Sequence, residues 1–279
     1  MKFKIVVDSS SNLKSDYLVD KKDIGFSVAP LTIRLKDEEF IDDDKLDVSD
    51  MLKKINSSSE VGHSSCPSPN DFLKYFNEDE SGYTFVATIT SKLSGSYNSA
   101  LVAKESSVDP SKVLVIDSLG TAGTIVLIVD KLVELIEKNL SFAEISKKIL
   151  RFRDSLNLLF ALDKFDNLVK NGRINKIVAF IANLASIKPL CYADNGDIKI
   201  KEKIRTFKGV LKRIVYNIGK MCEDTKNRVC IISHTNNLVS ASLLKKEIEQ
   251  SYEFKEVRIM DNRGLCAFYS LDGALIVTF

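Results

Sequence analysis

Tryptophan is absent from this chain, and histidine occurs only twice, as His63 and His234. A zinc site would therefore depend on cysteine, but none of the five cysteines forms a Cys-x-x-Cys pair. Their odd number and wide spacing also give no indication of a disulfide framework. We therefore expect neither a metal centre nor a cofactor. Cysteines without a disulfide pattern also indicate a protein that functions under the reducing conditions of the cytoplasm.

Long apolar runs are missing as well. The uncharged run Ser118–Val129 has twelve residues, and the longest run without Asp, Glu, Lys or Arg, Val229–Leu244, has sixteen. Both are shorter than the roughly 18 apolar residues that a helix needs to span a bilayer. A strand pattern begins directly after Met1, so we expect no signal peptide. These features predict a cytoplasmic protein that makes at most transient contact with a membrane.

Several enzyme signatures are absent too. The chain contains no GxGxxG, Walker A, HExxH or GxSxG motif. Its net charge of only +2 gives no reason to expect nucleic acid as a partner. The charge is uneven, however, because the segment Arg151–Arg213 carries a net charge of +8. That segment is either ordinary solvated surface or a docking face for an acidic or phosphorylated partner.

What the sequence does contain is an alternation of apolar strands and amphipathic helices. In the first half, Phe3–Val7, Tyr83–Ile89 and Lys112–Ile116 read as buried strands. This alternation predicts an α/β fold whose first domain, residues 1–153, has a doubly wound, mostly parallel sheet. In the second half, Asn195-Gly196 between two extended runs predicts a hairpin. Residues 154–279 are therefore expected to form an α+β domain with a mixed or antiparallel sheet.

The local patterns of three further segments each predict a particular backbone structure. Phe26–Leu35 reads as one extended segment that Pro30 limits to an edge or a bend. Glu60–Pro69 reads as a loop, because its prolines and serines disfavour regular structure. Cys266–Ser270 reads as a short strand.

The stretch Tyr83–Ala103 is the most informative part of the sequence. An apolar strand is followed by a loop, and a helical pattern starts at Ser96. The loop and the first two helical residues together carry five hydroxyl residues: Thr90, Ser91, Ser94, Ser96 and Tyr97. The free N–H groups and the dipole at the start of a helix favour a negatively charged oxygen group. These hydroxyl residues, which include Ser91, therefore predict an anion site.

The uncharged segment Ile177–Ile187 indicates that the anion could carry an apolar chain. It carries Phe180 and Leu184 among small residues, and it is either core or the lining of a cavity. A carboxylate at Ser91 whose chain runs into that cavity would be a fatty acid. Burial of about 14 methylenes, at about 0.8 kcal/mol each, would contribute roughly 10 kcal/mol to binding.

The chain resembles the DegV family of bacterial fatty-acid-binding proteins over almost its whole length. The resemblance rests on short stretches that occur in the family's order and spacing: KIVVDSSSNL (Lys4–Leu13), SSCPSP (Ser64–Pro69), TITSKLSGSYNSA (Thr88–Ala100), VLVIDS (Val113–Ser118), LVKNGRI (Leu168–Ile174) and EKIRT (Glu202–Thr206). It implies a two-domain protein that buries a long-chain fatty acid between its domains. It also implies a separate ATP-dependent fatty acid kinase as a partner.

The resemblance assigns roles to particular residues. It implies that Ser64 and Ser91 bind the carboxylate, and that Arg173 and Arg205 lie at the mouth of the pocket and face the kinase. The family's C-terminal histidine, a further carboxylate ligand, is replaced by Tyr269, which can donate a phenolic hydrogen bond but cannot be a cation. Asp272 would add a negative charge nearby, which would weaken binding or raise the acid's pKa.

Two alternatives remain open at this stage. The first is a hydrolase or transferase that uses Ser91 or Cys66 as its nucleophile. For Cys66, His63 three residues earlier is a candidate partner in a Cys–His pair. The second is a binding protein for a small polar anion. The fatty-acid-binding interpretation requires neither a catalytic residue nor a metal ligand.

Overall fold

The computed structural model describes residues 3–76, 82–174, 177 and 187–279. Its strands are β1 (Phe3–Asp8), β2 (Ile24–Ala29), β3 (Thr32–Leu35), β4 (Glu38–Ile41), β5 (His63–Ser65), β6 (Tyr83–Thr88), β7 (Val113–Asp117), β8 (Leu158–Ala161), β9 (Lys188–Asp194), β10 (Asp197–Ile204), β11 (Val229–His234), β12 (Glu256–Asp261) and β13 (Leu275–Thr278). Its α-helices are α1 (Val48–Ser57), α2 (Pro69–Phe76), α3 (Ser96–Glu105), α4 (Gly123–Glu137), α5 (Phe142–Asp154), α6 (Asp166–Lys170), α7 (Phe207–Met221), α8 (Leu238–Ser251) and α9 (Gly264–Ser270).

The first sheet is fully parallel, with the strand order β2-β1-β6-β7. Alternate residues of its strands point to opposite faces: Ile5 belongs to the apolar cluster that contains residues of α4 and α5, and Val6 belongs to the cluster that contains residues of α2 and α3. A sheet that has helices on both sides needs apolar side chains on both of its faces. The doubly wound parallel sheet predicted from the sequence is confirmed.

The second sheet is mixed, with the strand order β10-β9-β8-β13-β11-β12. Only β11 and β12 pair in parallel, and the other neighbours are antiparallel. The β9–β10 hairpin turns at Asn195-Gly196, where both residues have positive φ, as predicted. The α/β fold class, with a parallel sheet followed by a mixed one, is therefore confirmed.

A third, small sheet was not predicted. It is antiparallel, has the order β4-β3-β5, and packs against α9 at the C-terminal end of the chain. Phe26–Leu35 is consequently not one extended segment, because Pro30 separates β2 in the first sheet from β3 in the third. The prediction of a loop over Glu60–Pro69 was also wrong in part, since β5 occupies three of its residues ahead of the two prolines.

The predicted strand Cys266–Ser270 is instead part of helix α9. A short apolar run has no periodicity that separates a buried strand from a buried helix. The helix begins where the buried Asp42 carboxylate accepts a hydrogen bond from the Leu265 N–H at 2.9 Å. Asp42 lies more than 200 positions away along the chain, so the local sequence could not reveal this cap.

The first and second sheets meet along α4, whose N-terminal turn approaches the second sheet closely. A Cβ atom at Gly123 would lie 3.0 Å from the Ile231 side chain. In the described ranges, no helix has the length and apolar character needed to cross a membrane.

Candidate functional site

A cavity of about 290 Å³ lies between the two large sheets. Most of its wall is apolar, and both halves of the chain supply that apolar surface: Leu31, Ile89, Leu93, Leu158, Phe160 and Ile276. Fewer polar side chains reach the wall, among them Ser64, Ser94, Thr121, Arg173 and Tyr269. An apolar enclosure with a few polar groups is typical of a site for a ligand that has an apolar body and a small polar end.

The hydroxyl pair of Ser64 and Tyr269 closes one part of this cavity. Ser64 is in β5 and Tyr269 is in α9, and their hydroxyl oxygens lie 2.8 Å apart. Tyr269 is held in place by Phe268, whose ring packs edge-on against the phenol with centroids 4.8 Å apart. The structure thus brings together two residues that the sequence placed in one site, although 205 positions separate them. Both groups are neutral hydrogen-bond donors, which can turn towards a bound oxyanion.

The loop after β6 lines the cavity through Thr90, Leu93, Ser94 and Gly95. Ser91 is not part of this wall; its N–H donates to Asp117 Oδ1 at 3.2 Å. Ser94 and Gly95 immediately precede α3, so the start of that helix borders the cavity. The expectation of a helix N-terminus beside the site agrees with this geometry, whereas a carboxylate-binding role for Ser91 stays a prediction.

Some of the hydroxyl groups near this loop already have an internal partner. The Asp8 carboxylate is fully buried at the end of β1 and accepts hydrogen bonds from Ser10 Oγ (2.5 Å), Ser96 Oγ (2.6 Å) and Ile89 N (2.9 Å). Burial raises the pKa of Asp8, and these hydrogen bonds oppose that rise. Asp8 therefore fixes the loop that carries Ser94, and the Ser96 hydroxyl is used for this purpose.

The two arginines assigned to the mouth of the pocket differ in position. Arg173 is half-buried and lines the cavity, and its Nη1 donates to the Asn171 carbonyl at 2.6 Å. Its Nε is buried and has no hydrogen-bond partner among the described residues. Arg205 is exposed in the turn between β10 and α7, and it does not line the cavity. Phe180 and Leu184, the residues predicted to line an acyl pocket, lie outside the described residues.

The geometry gives no support to a nucleophile. Cys66 lines the cavity, but its closest hydrogen-bonding contact is the Ser99 hydroxyl at 3.8 Å. His63 Nδ1 lies 3.2 Å from Asn171 Oδ1, and within the described part of the chain no hydrogen bond joins a histidine to Cys66 or Ser91. The other cysteine in the wall, Cys266, is buried, and burial raises the pKa of its thiol to about 12.

Asp272 does not add its charge to the cavity wall. It is exposed and accepts hydrogen bonds from Asn56 Nδ2 (3.0 Å) and Asn236 Nδ2 (2.6 Å). The residues that the structure describes contain no group of three or more histidine, cysteine or acidic side chains that could hold a metal ion.

Several wall residues were not singled out in the sequence. Thr121, Leu31 and Leu265 come from loops or element ends that carry no motif. Thr121 lies in the loop after β7, and Thr90 lies in the loop after β6. The place of Thr121 at the carboxyl edge of the sheet could therefore have indicated it. Leu31 and Leu265 depend on the third sheet and on α9, which the sequence did not predict.

Known proteins resemble this chain along its whole length. Residues 2–279 match the family described as "Uncharacterised protein, DegV family". A DegV domain-containing protein of Streptococcus gordonii is 36% identical over 284 residues, which cover 100% of this chain and 99% of that protein.

Two solved structures are also similar. The Fatty Acid Kinase (Fak) B3 protein of Streptococcus pneumoniae, loaded with linoleic acid, has a TM-score of 0.91 and 31% identity, covering 100% of this chain and 99% of that one. A DegV family protein of Ruminococcus gnavus, with vaccenic acid, has a TM-score of 0.92 and 27% identity, covering 99% of both chains. The resemblance stated from the sequence is confirmed, and the chain belongs to the DegV family.

Proposed function

We propose that this protein binds a long-chain fatty acid in the cavity between its two large sheets. The observation that carries the proposal is an apolar wall with the neutral Ser64–Tyr269 pair in it, 2.8 Å between hydroxyls. The apolar wall suits an acyl chain, and the hydroxyl pair suits its carboxylate. The similar proteins of S. pneumoniae and R. gnavus, with linoleic and vaccenic acid respectively, support the same ligand class.

The acyl chain and the carboxylate of the ligand contribute differently to the binding free energy. Burial of an acyl chain supplies most of the affinity, at about 0.8 kcal/mol for each methylene. The carboxylate then needs only a few donors to set its register, for which we propose Ser64, Tyr269 and one serine of the loop after β6. The family resemblance implies Ser91 for this last role, whereas Ser94 is the serine of that loop that lines the cavity. The apolar wall described here would be extended by Phe180 and Leu184.

We further propose that the protein is a carrier and not an enzyme, and that it presents the acid to a separate fatty acid kinase. The similarity to the Fak B3 protein supports this partner. Arg173 in the wall and the exposed Arg205 would face the kinase. The buried Arg173 Nε, which has no partner among the described residues, supports a donor role towards an oxyanion.

The remaining proposals concern organisation and location. We place the division between the domains near Asp154, where α5 ends, as residues 1–153 and 154–279. The five cysteines are free, which supports a reducing, cytoplasmic location.

The test is organic extraction and mass spectrometry of the natively purified protein, followed by linoleic acid titration of the delipidated protein. We expect about one fatty acid per chain and saturable binding. The matched control is the double variant Ser64→Ala/Tyr269→Phe, which keeps the apolar wall and should bind more weakly. A clean extract together with no binding of added linoleic acid would overturn the proposal.

A further inference from the structure

We infer that Asn167 and Asn171 are positioning residues that hold the two chain segments carrying Ser64 and Tyr269 at the distance that a carboxylate requires. The inference rests on the proposed fatty acid binding and assigns a role to two residues that do not line the cavity. Both belong to the short helix α6 and its C-terminal cap.

Asn167 holds the segment that carries Tyr269. Its side chain is buried, and its Nδ2 donates to the Phe268 carbonyl at 2.7 Å. Phe268 directly precedes Tyr269 in α9, so this bond fixes the backbone from which the phenol projects.

Asn171 holds the segment that carries Ser64. Its Nδ2 donates to the Gly62 carbonyl at 3.0 Å, and its Oδ1 lies 3.2 Å from His63 Nδ1. Because an amide oxygen can only accept, the His63 ring donates when this bond forms. Gly62 and His63 directly precede Ser64, so the bonds fix the start of β5.

Asn167 and Asn171 are four positions apart at the end of one helix, so their side chains are neighbours on the same face. Asn171 Nδ2 also donates to the Asn167 carbonyl at 3.0 Å, which ties the cap to the helix. The two segments that they hold are themselves in tight contact, since a Cβ atom at Gly62 would lie 2.8 Å from the Phe268 ring. The pair thereby sets the spacing that leaves the Ser64 and Tyr269 hydroxyls 2.8 Å apart.

The same helix end also places Arg173. Gly172 has a φ of 71°, which turns the chain sharply after Asn171. The Arg173 N–H then donates to the Leu168 carbonyl at 2.9 Å, and its Nη1 donates to the Asn171 carbonyl at 2.6 Å. One element therefore orients three polar groups of the cavity wall: a serine hydroxyl, a phenol and a guanidinium.

The test separates positioning from simple structural support by comparing two ligands. Linoleic acid has a carboxylate for the polar groups to recognise, whereas methyl linoleate has the same chain without the charge. Dissociation constants for both are measured with the full-length, delipidated protein by displacement of a fluorescent acyl probe. The variants are Asn167→Ala and Asn171→Ala, together with the isosteric Asn167→Asp and Asn171→Asp, which lose the amide donor but keep the side-chain shape.

The control is Asn217→Ala. Asn217 is also buried and donates through Nδ2 to the Arg213 carbonyl at 2.8 Å, but it does not contact α6, β5 or α9 through any hydrogen bond that the structure describes. Its loss should lower the melting temperature and leave the preference for the acid over the ester unchanged.

We expect each Asn167 and Asn171 variant to lower the acid-over-ester preference about tenfold, with the ester affinity nearly unchanged. Equal loss of both ligands, or an unchanged preference, would overturn the positioning role while leaving fatty acid binding intact. Failure of the wild-type protein to bind linoleic acid, or to prefer it to the ester, would overturn the proposed function and this inference with it. If an alanine variant does not fold, the aspartate variant at the same position provides the comparison.

Discussion

The carboxyl edge of the first sheet and the Ser64–Tyr269 pair both bring hydroxyl groups to the same side of the molecule, but they use them differently. At the sheet edge, the Ser10 and Ser96 hydroxyls bond to the buried Asp8 carboxylate, so an internal anion already occupies them. In the pair, the two hydroxyls bond to each other, and both line the cavity. A count of hydroxyl residues therefore does not locate an anion site. The hydroxyls that lack an anion of their own are the ones that can serve a ligand.

Of the substitutions proposed below, removal of the buried Asp8 carboxylate should change the protein most. Asp8→Ala would leave two buried hydroxyls and the Ile89 N–H without an acceptor, and we expect it to lower the free energy of unfolding by about 4 kcal/mol. Urea denaturation measures this loss, and Asp8→Asn, which keeps one acceptor oxygen, serves as the milder control. An Asp8→Ala protein as stable as the wild type would contradict the claim that the Ser10 and Ser96 hydroxyls serve to bind the Asp8 carboxylate.

The second effect concerns pH and the other buried carboxylate of this region, Asp42. Burial raises the pKa of Asp42 to about 6, above the ordinary value of 3.8. The folded state then binds a proton more tightly than the unfolded state, so stability from this group is greatest below about pH 4. It is lost as the pH rises to about 6, by roughly 3 kcal/mol in total.

The check is a series of urea unfolding curves between pH 4 and 7.5. The wild type should become less stable as the pH rises across this range, and Asp42→Asn should flatten the slope. Its amide oxygen can still accept from the Leu265 N–H, so the helix start is kept. Part of the slope should remain, because burial raises the pKa of Asp8 as well. An identical slope in wild type and variant would contradict the assignment to Asp42.

The third effect should appear in binding and hardly at all in stability. Tyr269→Phe removes the phenolic hydroxyl but keeps the ring that packs on Phe268, and Ser64→Ala removes the other hydroxyl. Each should weaken linoleic acid binding about tenfold, which corresponds to about 1.4 kcal/mol. Titration calorimetry together with melting curves would show whether affinity falls alone. A fall in melting temperature with unchanged affinity would show that the two hydroxyls stabilise the folded protein and do not bind the ligand.

The smallest effect distinguishes two serines of one loop. Ser94 lines the cavity and Ser91 does not, although Ser91 was the residue indicated by the sequence. If a hydroxyl must lie in the cavity wall to bind the carboxylate, Ser94→Ala should weaken linoleic acid binding about threefold to fivefold, which corresponds to about 0.6–0.9 kcal/mol. Ser91→Ala should then leave binding nearly unchanged, and the opposite ranking of the two variants would restore Ser91 to the site.

Patterns within one segment were enough to predict the two large sheets. The strand β6 is apolar on both faces, and Asn195-Gly196 can adopt positive φ, so local chemistry specifies each element. The third sheet could not be predicted in this way, because β5 has only three residues and exists through pairing with β3. Helix α9 likewise depends on a carboxylate from a distant loop.

For the site, the sequence predicted Ser64, Tyr269 and Arg173 through a family resemblance, and the structure places all three in one cavity wall. It could not indicate which hydroxyls of the Thr90–Ser96 loop are already bonded, since that depends on Asp8 in another strand. Nor could it indicate Asn167 and Asn171, because asparagines at the end of a short helix usually serve as caps or lie at the surface. Both side-chain amides donate to backbone carbonyls of distant segments, at Phe268 and Gly62, and such partners leave no trace in the sequence.

The division of the cavity wall between two halves of the chain has a consequence for protein turnover. A wall built from Leu31 and Ile89 on one side and from Leu158 and Ile276 on the other is complete only when both halves have folded and met. A ligand that contacts both sides stabilises only this closed arrangement, by about 2.7 kcal/mol at one hundred times its dissociation constant. Proteases act mainly on transiently opened chains. The lifetime of this protein would therefore lengthen when its lipid is plentiful and shorten when the lipid is scarce.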